Sequence, residues 1–100
     1  MKKIKFYSLV NGENGKPIAK LWDGWTDIYF NYYCIKHNNR VNTWHAIEPS
    51  TGLSVATGNT LKEAKQRATA PETLRKINEK ITQDMIQRFF ELKTEAEICL

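Results

Sequence analysis

Val41–Ala68, VNTWHAIEPSTGLSVATGNTLKEAKQRA, is the best-specified stretch of this 100-residue chain. It reads as strand, tight turn, strand and capped helix. Val41–Glu48 is rich in side chains that fit a pleated surface. In Pro49-Ser50-Thr51-Gly52, the fixed φ of proline favours a turn and the glycine supplies a left-handed residue. Leu53–Thr57 makes a short return strand, and Gly58-Asn59-Thr60 ends the sheet. Thr60-Leu61-Lys62-Glu63 then forms a capping box, the threonine hydroxyl accepting from the amide of Glu63. Leu61, Ala64 and Ala68 fall on one helical face, and the small alanines allow close approach to a sheet. This unit specifies a fold; it carries no catalytic chemistry.

Upstream, Ile4, Phe6, Ser8 and Val10 alternate with their neighbours as a half-buried strand does. Asn11-Gly12-Glu13-Asn14-Gly15 predicts a hairpin loop. A return strand covers 16–22, and Asp23-Gly24 reads as the next turn. Thr26–Lys36, TDIYFNYYCIK, reads as one continuous strand, placed centrally because both of its faces are apolar or aromatic. His37-Asn38-Asn39-Arg40 closes the following hairpin, the Asn pair tolerating positive φ.

Downstream, Pro71 suits a first helical position. Leu74, Ile77, Ile81, Met85, Phe89 and Leu92 then recur every three or four residues. The pattern predicts a helix from Pro71 to about Lys93, with Thr82-Gln83-Asp84 as its one candidate break. Ile86 and Phe90 widen the stripe, serving either a curved core contact or a surface for another chain. The expected fold is therefore α+β, an antiparallel meander of four or five strands followed by a short helix and a long C-terminal helix on one face. One domain spans 1–100, with the sheet in 1–58, the helical part in 60–93 and a tail in 94–100.

Composition bounds the function. Hydrophobic residues at 41% and charged residues at 26% are ordinary for a soluble domain. No apolar run approaches the roughly 18–20 residues of a membrane span. The basic start MKKIKFYSLV lacks the apolar run and cleavage site of a secretion signal, so it reads as a strand in a cytoplasmic protein. Cys34 and Cys99 are too far apart for a disulfide framework and read as free thiols. Three of the four net positive charges come from the first sixty residues, with seven Lys/Arg against four Asp/Glu. The remainder is close to neutral, and no basic tail exists.

Catalytic signatures are missing: no P-loop, dinucleotide-binding glycine pattern or nucleophile elbow. Cys34, His37 and His45 are the only candidate metal set, and their spacing does not match zinc knuckles. Asp23 and Asp27 flank a turn, where aspartate serves the backbone; with Glu48 they are the available carboxylates. No enzyme activity, metal or cofactor is expected.

The functional clue is aromatic. Of eleven aromatic residues, seven lie between 22 and 44: Trp22, Trp25, Tyr29, Phe30, Tyr32, Tyr33 and Trp44. One register sends Phe30 and Tyr32 inward and leaves Tyr29 and Tyr33 outward. Exposed tyrosine and tryptophan on a rigid sheet anchor protein interfaces. They also stack single-stranded nucleic acid when cations stand nearby. The bland reading is that they fill the core. Trp25, Tyr29, Tyr33 and Trp44 are thus the candidate protein-binding residues, with Ile86 and Phe90 as a second or homodimer surface. The alternative is a single- or double-stranded nucleic-acid binder using the sheet aromatics with Lys3, Lys5, Lys36 and Arg40.

Gly58-Asn59-Thr60-Leu61-Lys62-Glu63-Ala64 resembles the strand-to-helix junction G-x-T-x-x-E-A of HicB-type antitoxins and of other small sheet-plus-helix proteins of phages and plasmids. The resemblance implies a fold more than a function. The size, basic N-terminus and Asn/Lys/Ile richness are similar to those of proteins carried by mobile elements. Such proteins, anti-CRISPR proteins among them, frequently bind and block a host enzyme. The leading expectation is accordingly a protein-binding inhibitor of a host enzyme or defence complex such as a CRISPR nuclease.

Overall fold

The computed structural model describes residues 1–98. It is an α+β fold: a five-stranded antiparallel meander in sequential order, followed by three helices. The strands are β1 (Lys2–Asn11), β2 (Pro17–Thr26), β3 (Asn31–Ile35), β4 (Thr43–Ile47) and β5 (Ser54–Gly58). The helices are α1 (Leu61–Ala68), α2 (Pro71–Lys80) and α3 (Gln83–Ile98). No helix among the described residues is long and apolar enough to cross a membrane.

The Val41–Ala68 unit folds as its sequence dictates. Gly52 adopts φ +70° in the β4–β5 turn, and Asn39 adopts φ 62° in the β3–β4 turn. Thr60 Oγ1 accepts from the Glu63 amide at 3.1 Å, while the Glu63 carboxylate turns instead to Arg67, one turn on. Ala64 and Ala68 are fully buried, so α1 lies close on β4 and β5. Gly58 is required for this junction: a Cβ there would sit 2.6 Å from the Ala64 nitrogen. The Gly58–Ala64 junction thus has a packing cause as well as a capping one.

Four expectations are corrected. Thr26–Lys36 is not one strand: β2 ends at Thr26, residues 27–30 form a turn, and β3 is only Asn31–Ile35. The Asp23-Gly24 pair is not a turn but sits inside β2, opposite Lys5 and Ile4. Glycine is needed there because a Cβ would collide with the Tyr32 carbonyl and the Phe6 ring. The helical stripe is two helices rather than one: it breaks at Ile81-Thr82, with Gln83 and Asp84 already in α3, and Thr82 Oγ1 caps α3 by accepting from the Met85 amide at 3.2 Å. Helix α3 then continues to Ile98, so residues 94–98 are helix rather than tail. Cys99 lies outside the described residues.

Cross-strand partners share a face. Trp25, Tyr32, Cys34, Trp44 and Ala46 therefore lie on one face, which the helices cover in two patches. Helix α1, through Ala68, and helix α2 close over Phe30, Tyr32 and Ala46, and α3 packs Phe89 and Leu92 on Ala19. The other face has no helix, yet Phe6, Tyr33 and Ile47 on it are buried together. The sheet's own curl buries them. Strand β2 pairs β1 through ten residues but β3 through only Trp25 and Thr26. Beyond that point the β1–β2 hairpin bends over the helix-free face, and the Leu9 amide reaches the Gly52 carbonyl at 2.8 Å.

Candidate interaction surface

The turn between β2 and β3 is built around Asp27. Its Oδ1 accepts from the amides of Tyr29 and Phe30 at 2.8 and 2.9 Å. Its Oδ2 accepts from the Tyr32 hydroxyl at 2.9 Å and lies 3.2 Å from Lys65 Nζ of α1. Burial pushes the carboxyl up, but these donors outweigh it and hold Asp27 below its ordinary value. The same contact, added to burial, raises the Tyr32 hydroxyl. Phe30 is driven into the core at 3% exposure, which leaves the two residues before it no route inward. Ile28 is 89% exposed and Tyr29 52% exposed. A rigid turn thus holds an aliphatic and an aromatic side chain out in water.

The residues expected at the interface separate. Tyr29 stands on this turn. Tyr33, expected to face outward, is buried at 4% exposure. It stacks between Trp22 at 3.9 Å and His45 at 4.9 Å on the helix-free face, where the hairpin folds over it. Trp22 is fixed in turn by its indole N–H donating to Ser8 Oγ at 2.8 Å. Burial raises the Tyr33 hydroxyl and lowers the His45 imidazole, favouring the neutral form of each. Trp25 and Trp44 lie on the opposite, helix-bearing face, half-buried, with ring centroids 5.4 Å apart. On α3, Ile86 is half-buried and Phe90 is 60% exposed.

The basic residues also divide. Lys3 stands opposite Trp25, and Lys5 opposite Asp23. With Ile4 and Gly24 these line a shallow groove of about 430 Å³. The Lys5–Asp23 approach of 3.8 Å joins two highly exposed side chains and contributes little. Lys36 and Arg40 lie at the other end of β3 from the 27–30 turn, where Arg40 contacts His37 Nδ1 at 3.2 Å. Cys34 and His45 project to opposite faces of the sheet, and His37 turns to Thr43 at 2.9 Å. That candidate metal set does not converge. Glu48, like Asp27, serves its own turn: its carboxylate takes the hydroxyls and amides of Ser50 and Thr51.

Ile28 is the surface residue that sequence reasoning missed. Its β-branched side chain read as strand interior, and only the aspartate before it signalled a turn. Compared with protein-family models, curated proteins and solved structures, the chain finds no match.

Proposed function

We propose that this chain is a non-enzymatic protein-binding module whose principal anchor is the Ile28-Tyr29 turn. One observation carries the reading: the turn is fixed by the side chain of Asp27, and Ile28 and Tyr29 are nevertheless exposed at 89% and 52%. Apolar groups presented on a pre-ordered scaffold lose little entropy on binding, which favours them as anchors. The half-buried Trp25–Trp44 pair offers further apolar surface on the helix-bearing face. Phe90, with Ile86 at its flank, gives a second surface for another protein or for a second copy of this chain. An inhibitor of a host enzyme or defence complex, as mobile elements carry, is the form of module we favour. It acts by occupying a partner's surface and needs no chemistry of its own.

The test is capture from nuclease-treated lysate by the native chain, Ile28→Asp and Tyr29→Ala. A protein retained by the native chain should be lost by at least about tenfold with either variant, as anchor truncation costs roughly 2 kcal/mol or more. A retained protein indifferent to both substitutions, with the variants folded, overturns the anchor.

A second reading rests on Lys3 and Lys5 lining the groove beside Trp25. There a nucleic-acid strand would find cations and an aromatic edge together. It predicts retained nucleic acid, and affinity falling steeply as salt rises through counterion release. A shallow salt slope and survival of the complex after nuclease overturn it.

A further inference from the structure

Helix α2 has an apolar stripe and yet buries none of its residues fully. Leu74 and Ile77 reach the cluster under α1, but the stripe stands off from the β4–β5 turn, leaving a cleft of about 360 Å³. That volume lies within the roughly 300–1,000 Å³ of sites that hold small molecules. Its apolar wall is Leu53, Val55, Ile77, Ile81 and Met85, drawn from β5 and the residue before it, α2, the α2–α3 connection and α3. Met85 is unbranched and adapts to the shape of what it contacts.

The polar groups of the cleft are unequal. Lys76 and Lys80, one helical turn apart and both exposed, line it together. Lys76 has only an exposed contact with Glu72 at 3.4 Å, which a bound anion displaces at little cost. Lys80 makes no ion pair among the described residues. Glu48 also lines the cleft, but its oxygens are occupied by Ser50 and Thr51. The cleft therefore offers an apolar wall, two available ammonium groups and no free carboxylate acceptor.

We propose that this cleft binds a small amphipathic carboxylate, its hydrocarbon part against Ile77, Ile81, Leu53 and Met85 and its carboxylate between Lys76 and Lys80. Hydrocarbon burial supplies the attraction, and the paired lysines select the anion. The site is separate from the Ile28-Tyr29 turn and stands or falls independently of it.

The test is a titration of the full-length, 15N-labelled chain with decanoate below its micelle-forming concentration, followed by amide shifts. Saturable shifts should be confined to residues 51–55 and 73–85. Reversing both cations, Lys76→Glu with Lys80→Glu, should weaken binding by about tenfold or more, and decanol should bind correspondingly less well. Leu53→Trp, which fills the cleft from an exposed position, should abolish the shifts while the chain still melts cooperatively. No saturable shift, shifts centred on Ile28 or Phe90, equal binding of decanol, or an undiminished response in either folded variant overturns the proposal.

Discussion

Asp27 shows how one side chain decides a local structure against propensity. Ile28, Tyr29 and Phe30 all favour strand, and an uninterrupted strand through them would have buried alternate members. The carboxylate instead offers two amides a closer acceptor than a neighbouring strand does, and Tyr32 and Lys65 hold it in place. Asp27→Asn keeps an oxygen for the amides but loses the charge that faces Tyr32 and Lys65. It should destabilise the fold by about 1–3 kcal/mol near neutral pH. Because the folded carboxyl titrates below its ordinary 3.8, its contribution is complete above that value. It is lost as pH falls through the lower folded value, where the unfolded chain binds more protons. Urea midpoints of native and variant chains should therefore differ at about pH 7 and converge toward about pH 2. An equal gap at both would show that the carboxylate charge is not its source.

At the scale of elements, what was legible in the sequence was what is local. The Thr60 cap, the left-handed Gly52 and Asn39, and the α3 break beside Thr82 each depend on a few adjacent residues. The misreadings came from contacts distant in sequence. Gly24 resembled a turn because its actual reason, the approach of the Phe6 ring and the Tyr32 carbonyl, belongs to the bend of the hairpin over β3. Tyr33 resembled an outward anchor because no periodicity reports that the β1–β2 hairpin folds back onto that face. Ile28 is the exception, a local misreading: the Asp27 carboxylate takes the amides of Tyr29 and Phe30 and overrides the strand propensity of the residues beside it. A pair of glycines separates the two reasons for the residue type. Gly15 and Gly52 both have positive φ, but a Cβ at Gly15 meets nothing within 4 Å, whereas at Gly52 it would enter the Phe89 ring. Gly15→Ala should cost only about 1 kcal/mol, the conformational term. Gly52→Ala should cost about 2–4 kcal/mol, because α3 must also move off the turn. Equal losses of stability in thermal melts would mean that α3 is not seated on Gly52.

Across the whole molecule the apolar residues form three clusters rather than one core, and the helices are unequally attached to them. Helix α1 is fastened by two fully buried alanines, by Thr60 and by Lys65 to Asp27. Helix α3 is fastened by Phe89 and Leu92, each almost completely buried. Helix α2 has no buried residue, an N-terminus without a side-chain cap, and an open cleft along its apolar side. Opening it exposes little additional surface, so its local stability should lie well below that of the sheet. Native-state hydrogen exchange should therefore find α2 amides exchanging through sub-global openings. Those of Tyr32, Ala46 and Ala64 should exchange only on global unfolding. The helix would then be the part of the fold free to adjust to whatever enters the cleft. Decanoate should slow α2 exchange selectively if its carboxylate bridges Lys76 and Lys80, because a ligand bound only to the closed helix stabilises that state. Protection of α2 equal to that of β3 and β4 without ligand would show that its apolar stripe is fully packed and the cleft is only a surface crease.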